Sequence, residues 1–140
     1  MIAADTNVLL RLLNQDDNEQ QSALASRWFR RHAADGVYVD AIVLCELAWV
    51  MRARYHKHRR EIHAVLRGLL DVEGVVVGES STVRRALARF AERAGGAGGA
   101  GGAGDFADYL LHERAAAAGA AIVGTFDRAL KREKGFQILG

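Results

Sequence analysis

The sequence predicts an α/β fold, a parallel β-sheet flanked by helices on both faces, and three observations carry that expectation. Short apolar runs, such as Val37-Tyr38-Val39 and Val75-Val76-Val77, alternate with longer stretches of helical periodicity, the rhythm of βαβ units. The runs are uninterrupted by charge, as in strands covered on both sides. At 140 residues the chain is long enough for one core and short for two. Residues 1–140 therefore read as a single domain.

Each element has a local reason. Ile2-Ala3-Ala4 is a short apolar strand that ends at Asp5-Thr6-Asn7, where a loop receives polar side chains. Residues 8–13 continue as a short helix. After the polar break 14–18, residues 19–34 form a second helix with Ala25, Trp28, Phe29 and Ala33 on its apolar face. Val37-Tyr38-Val39 is the second strand. Asp40 stands where a helix N-cap belongs, ahead of residues 41–51. Ile62, Val65, Leu66 and Leu69 recur at i, i+3, i+4 and i+7, so residues 59–70 are an amphipathic helix. Residues 74–77 are the third strand, and Ser80 or Ser81 caps the helix bearing Val83, Leu87 and Phe90. Residues 94–104 repeat Gly-Gly-Ala and read as a flexible insertion within the domain. They lack the Lys, Ser or Thr spacing of a phosphate-binding loop. Residues 120–123 are a fourth strand ending at Gly124-Thr125-Phe126-Asp127, and residues 137–139 a last one.

Composition narrows the function classes. Half the residues are hydrophobic and 26% are charged, which suits a globular protein rather than a disordered chain. No apolar segment approaches a membrane span, and the acid at position 5 comes too early for a signal peptide, so a cytoplasmic protein is expected. Cys45 has no partner cysteine, in keeping with a reducing compartment and a core thiol. A net charge of +2 predicts no polyanionic partner by itself, so attraction to one has to come from local clusters.

The acids are more telling. Glu46 is the only charged residue between 41 and 51; a lone carboxylate in an apolar run is either a salt-bridged or surface-facing helix residue, or a ligand. Asp5 and Asp127 fall at or just past the carboxyl ends of two strands, the edge where open α/β sheets bind ligands. Asp105 and Asp108 share a helix face, Asp105 in the N-cap position. Right-handed crossovers bring strand ends to one edge, so Asp5, Glu46, Asp108 and Asp127 are expected to converge there. Such a cluster suits a hard divalent cation, Mg²⁺ or Mn²⁺ rather than Zn²⁺, and the chemistry that uses it is attack of an activated water on a phosphodiester. Thr6, Asn7 and Thr125 stand beside the acids as auxiliary groups, able to orient a water or simply to satisfy a strand-end backbone group.

Ile2-Ala3-Ala4-Asp5-Thr6-Asn7, Glu46 in an apolar helix, Asp105-Phe106-Ala107-Asp108-Tyr109-Leu110-Leu111 and Gly124-Thr125-Phe126-Asp127 together resemble the four acidic motifs of PIN-domain nucleases. The resemblance is greatest to the VapC-type toxins of bacterial toxin–antitoxin pairs and runs from Ile2 to Leu139. It implies a Mg²⁺- or Mn²⁺-dependent endoribonuclease, a homodimer and inhibition by a small cognate antitoxin. Asp5, Glu46, Asp108 and Asp127 then form the catalytic, metal-binding quartet, with Asp105 auxiliary. The glycine repeat is a departure from the family's usual connection before the third acid.

Three basic clusters qualify as RNA contacts: residues 52–60, the helix face of Arg84, Arg85, Arg89 and Arg93, and Arg128, Lys131, Arg132 and Lys134 directly after Asp127. Proximity favours Arg128, Lys131 and Arg132. His112 is expected at an exposed helix position, and Trp28, Phe29 and Trp49 in the core. An aspartate-nucleophile phosphatase needs a second aspartate where Asn7 stands. A receiver-like signalling module needs adjacent acids on the first strand and a pocket lysine. A silent RNA-binding module would keep the basic faces without using the acids.

Overall fold

Parallel pairing turns the carboxyl ends of the strands to one side, and that side collects acids. In the computed structural model, which describes residues 1–13, 18–94 and 104–140, Ile2–Ala3 (β1), Val37–Val39 (β2) and Val75–Val77 (β3) form a parallel sheet in the order β1-β2-β3. Ile2 pairs with Val37, and Val37 with Val75. Val123–Thr125 (β4) and Phe136–Ile138 (β5) form a second parallel pair, Val123 against Phe136. The fold is α/β with parallel strands, as expected.

Among the described residues six helices connect and cover them: Thr6–Leu13 (α1), Glu19–His32 (α2), Ala41–Ala53 (α3), Arg59–Leu70 (α4), Ser80–Ala94 (α5) and Phe106–Ala117 (α6). Single 3-10 turns lie at Ala33–Asp35 and Arg128–Leu130. The core is built from Val37, Val39, Leu9, Leu44, Leu47, Leu66, Leu87, Phe106 and Tyr109, all buried, and each large side chain among them contributes about 1.5–3 kcal/mol by leaving water. Alternation along β2 places Val37 and Val39 in this core and the half-buried Tyr38 on the other face.

A helix or helical turn follows the carboxyl end of four strands, and an acid stands at each junction: Asp5 after β1, Asp40 after β2, Glu79 after β3 and Asp127 after β4. Asp40 caps α3 through a 2.9 Å hydrogen bond from the Ile42 N–H, as the sequence predicts.

Several boundaries move. Asp5 accepts from the Val8 N–H, so α1 begins at Thr6 and takes Thr6 and Asn7 out of the expected loop. The expected second helix gives way to a 3-10 turn at Ala33. β4 begins at Val123 rather than Ala120; the small side chains of Ala120 and Ala121 offer a strand little to pack. Ser80 and Ser81 lie inside α5, whose first hydrogen bond runs from Val83 N–H to the Glu79 carbonyl. Of the expected glycine-rich insertion, residues 95–103 lie outside the described residues.

Candidate active site

Thr6, in the first turn of α1, ties the first two acids together. It is buried, and its hydroxyl donates to Glu46 Oε2 at 2.7 Å across forty positions of sequence. Glu46 therefore lies on an exposed face of α3, held from α1 rather than buried among apolar neighbours. Asp5 is exposed, with Oδ1 accepting from the Val8 N–H at 3.0 Å.

The other two acids of the quartet, Asp108 and Asp127, are held locally. Asp105, in extended conformation (φ −78°, ψ 165°), precedes α6, and its N–H donates to Asp108 Oδ2 at 2.8 Å. The Asp105 carboxylate pairs with Arg52 of α3. Asp127 Oδ1 accepts from the Ala129 N–H at 3.0 Å, and Thr125 Oγ1 accepts from the Asp127 N–H. Burial raises the Asp108 carboxyl above its ordinary range; the negative charges of Asp105 and Asp127 push the same way, while the Asp105 N–H and Arg52 oppose them.

Each of the four acids thus has one oxygen held by a protein donor, and among the described residues no second hydrogen bond takes the other oxygen. Asp108 lies within electrostatic range of Asp105 and Asp127, and the Cys45 thiol within range of both Asp108 and Glu46. Among the described residues no three His, Cys, Asp or Glu side chains close on one point. The donor set fits a hard divalent cation in kind, oxygen-only and pre-oriented; its members are linked in pairs rather than gathered round one position.

Asn7 is exposed and, with Asp5 and Arg11, lines a cleft of about 590 Å³ between α1 and α2. Thr125 is half-buried and braces Asp127. Arg128, Lys131 and Arg132 are exposed, Arg128 donating to the Gly140 carbonyl. The other basic clusters are more engaged than expected. Arg89 donates to His112 and to the Lys134 carbonyl, and Arg59 to the Phe90 carbonyl and the Tyr109 hydroxyl.

His112 corrects an expectation: it is buried, not exposed. Its Nδ1 accepts from Arg89 at 2.7 Å, so Nε2 carries the proton and donates to the Ala121 carbonyl at 2.9 Å. Gly135 (φ +90°) passes so close to this ring that any Cβ would overlap it. His112 ties α6 to Ala121, ahead of β4, and its ring lies against Phe136 of β5. Trp49 is the second correction, 58% exposed, while Trp28 and Phe29 pack against the core in part.

Some supporting residues escaped the sequence. Tyr109 is fully buried, and its hydroxyl accepts from the Gly104 N–H at 3.2 Å, anchoring the approach to Asp105 and Asp108. Arg52, read only as part of a basic run, orients Asp105. Glu79, in the left-handed region at φ +51°, pairs with Arg114 at 2.6 Å. A tyrosine directly after an acid of the motif, Asp108-Tyr109, is the one available signal.

Among the described residues no helix is long and apolar enough to cross a membrane. No curated protein matches the chain. The family model of the PIN domain matches residues 2–135, a span that includes all four acids.

Proposed function

Because the chain belongs to the PIN-domain family, whose members are generally nucleases that act on nucleic acid and use divalent metal ions, we propose that it is a metal-dependent endoribonuclease, the toxin of a toxin–antitoxin pair. Asp5, Glu46, Asp108 and Asp127 would hold Mg²⁺ or Mn²⁺. The observation that carries this reading is the one-armed fixing of all four carboxylates: each is oriented by one donor and keeps an oxygen for something else. Held by these residues, such an ion would supply activation of a water and charge neutralisation at the leaving oxygen of the phosphodiester. The protein's part is to orient. Thr6 fixes the Glu46 carboxylate, the Val8 and Ala129 N–H groups fix Asp5 and Asp127, and the Asp105 N–H fixes Asp108. Arg128, Lys131 and Arg132, exposed beside Asp127, are the phosphate contacts that draw RNA to this edge.

The raised Asp108 carboxyl supports the same reading, since burial and the nearby Asp105 and Asp127 charges disfavour its ionised form and a cation relieves that cost. A partner's arginine would serve that need as well as a metal. The antitoxin is accordingly expected to direct a cation at Asp5, Glu46 and Asp108 and so to exclude RNA. A homodimer working in the cytoplasm completes the proposal. The deciding experiment incubates the purified chain with labelled RNA, with Mg²⁺, with Mn²⁺ and with a chelator. Cleavage with either ion and none with chelator is expected. Binding without cleavage under both ions would instead favour a silent RNA-binding module.

A further inference from the structure

Beside the acids lies a second concavity, about 280 Å³, between α3, the start of α4 and the start of α6. Its floor is apolar, formed by Ala48, Ile62, Phe90 and Phe106. Its rim carries Trp49, Arg52, Lys57 and Arg59, and Asp105 is the one acid among its described lining residues. The Trp49 ring is 58% exposed at this rim, an unusual place for so large an apolar surface. Two of the cations have room to serve a ligand: Lys57 reaches Glu61 only at 3.7 Å and Arg52 pairs with Asp105, both in solvent-exposed pairs that contribute little, whereas Arg59 is taken up by the Phe90 carbonyl and the Tyr109 hydroxyl. An apolar slot, an exposed indole and clustered cations are the parts from which sequence-tolerant single-strand sites are made, base on aromatic and phosphate on cation. A space slightly under the ~300 Å³ lower bound of drug-sized pockets suits one nucleotide unit. The concavity also adjoins the acids: Asp105 belongs to both, and Cys45, on its wall, precedes Glu46.

We propose that this pocket seats one nucleotide of single-stranded RNA next to the phosphodiester that is cut, its base stacked on Trp49 and its phosphate met by Arg52 and Lys57. The inference rests on the nuclease reading above and adds a substrate subsite to it. Occupancy requires no metal, so the pocket can be tested apart from the chemistry.

In the full chain carrying Trp28→Phe, Trp49 is the sole tryptophan and reports on the pocket. Its fluorescence is titrated with adenosine and uridine 5′-monophosphates in chelator, with ribose 5-phosphate and inorganic phosphate as controls. Saturable quenching by the nucleotides alone is expected, weakened severalfold by Arg52→Gln or Lys57→Gln and unchanged by Arg30→Gln, an exposed cation on α2. By calorimetry, Trp49→Ala should weaken nucleotide binding about tenfold, in the range of one lost stack, and Trp49→Phe should restore most of it. No quenching across the millimolar range, or equal quenching by phosphate, overturns the proposal. Trp49 emission that follows protein concentration and ignores nucleotide also overturns it, and assigns the face to a second copy of the chain. RNA cleavage without nucleotide binding refutes the pocket and spares the nuclease; nucleotide binding without cleavage under either ion does the reverse.

Discussion

Asp5 and Glu46 differ from Asp105 and Asp108 in how they are held. The first two are exposed, and Glu46 depends on a hydroxyl forty residues away, on a different helix. The second two are half-buried: the Asp105 N–H fixes Asp108 from three residues off, with like charges near, and the Asp105 carboxylate pairs with Arg52 of α3. One pair is thus assembled by the packing of α1 on α3; in the other, Asp108 is prefabricated by the capping of α6. Carboxylate count alone does not create a perturbed acid. At Asp108 burial does.

The largest effect that would test this contrast comes from the acids themselves. Asp5→Asn, Glu46→Gln, Asp108→Asn or Asp127→Asn should each reduce metal-dependent RNA cleavage to background in a folded protein, and Asp105→Asn should reduce it less. Stability separates the halves. Ionising Asp108 is penalised in the folded state, and the penalty is fully present above its raised pKa. It fades as pH falls through that value toward the ordinary 3.8. Metal-free Asp108→Asn should therefore melt higher than wild type at neutral pH, with the gain vanishing in acid. Glu46→Gln, at its exposed site, should show no such gain. Equal stabilisation by both variants in thermal melts across pH would erase the distinction.

The long-range tie is tested by Thr6→Val, which preserves shape and removes the donor to Glu46. Activity should fall about 10–100-fold, the usual cost of losing a group that orients a metal ligand. The prefabricated half should not notice, so Asp108 should titrate as before, a point that carbon-detected NMR of the carboxyl groups can check. Unchanged kcat/KM in Thr6→Val would mean that Glu46 is oriented by something else.

The local half has its own brace. Tyr109→Phe would leave the buried Gly104 N–H without its acceptor and Arg59 without one of its partners. A loss of about 1–3 kcal/mol in denaturant unfolding is expected. Because Gly104 leads into Asp105, the same change should raise hydrogen exchange at the Asp105 and Asp108 amides more than at Thr6. Exchange that rises equally at both sites would show one cooperative unit instead of two.

The two halves also differ in what their sequence discloses. Caps are local, so Asp40 before α3 and Asp105 before α6 were legible from residue type and position, as were β2 and the bounds of α4. The start of α1 shows the same rule in reverse: Asp5 at the end of β1 also caps the helix, which draws Thr6 and Asn7 out of the loop that the sequence suggests. The Thr6 tie to Glu46 leaves no trace in spacing, since tertiary packing alone sets it. His112 and Trp49 exchanged their expected places. A histidine with two hydrogen-bond partners can be buried without penalty, and nothing in a helical pattern records that Ala121 and Arg89 supply them.

Asp40 offers the finest test, because it shares the strand-end position and capping role of Asp5 without a place in the proposed metal set. Its carboxylate accepts from the Ile42 N–H and the Tyr38 hydroxyl, and these bonds, the backbone one foremost, hold its pKa below the ordinary value. The stabilisation is complete above the unfolded value of 3.8 and is lost as pH falls through the lower folded one. Asp40→Ala should therefore cost about 1 kcal/mol near neutrality, the usual worth of an N-cap, and the gap from wild type should narrow in strong acid. Asp40→Asn keeps a cap without the charge, so it should lose less and leave RNA cleavage near wild type. Asp5→Asn also keeps a cap and should abolish cleavage. Paired assays of the two asparagine variants thus separate strand-end acids that only begin a helix from those that also do chemistry; equal loss in both would show that capping geometry, not ligation, is what activity requires at this edge.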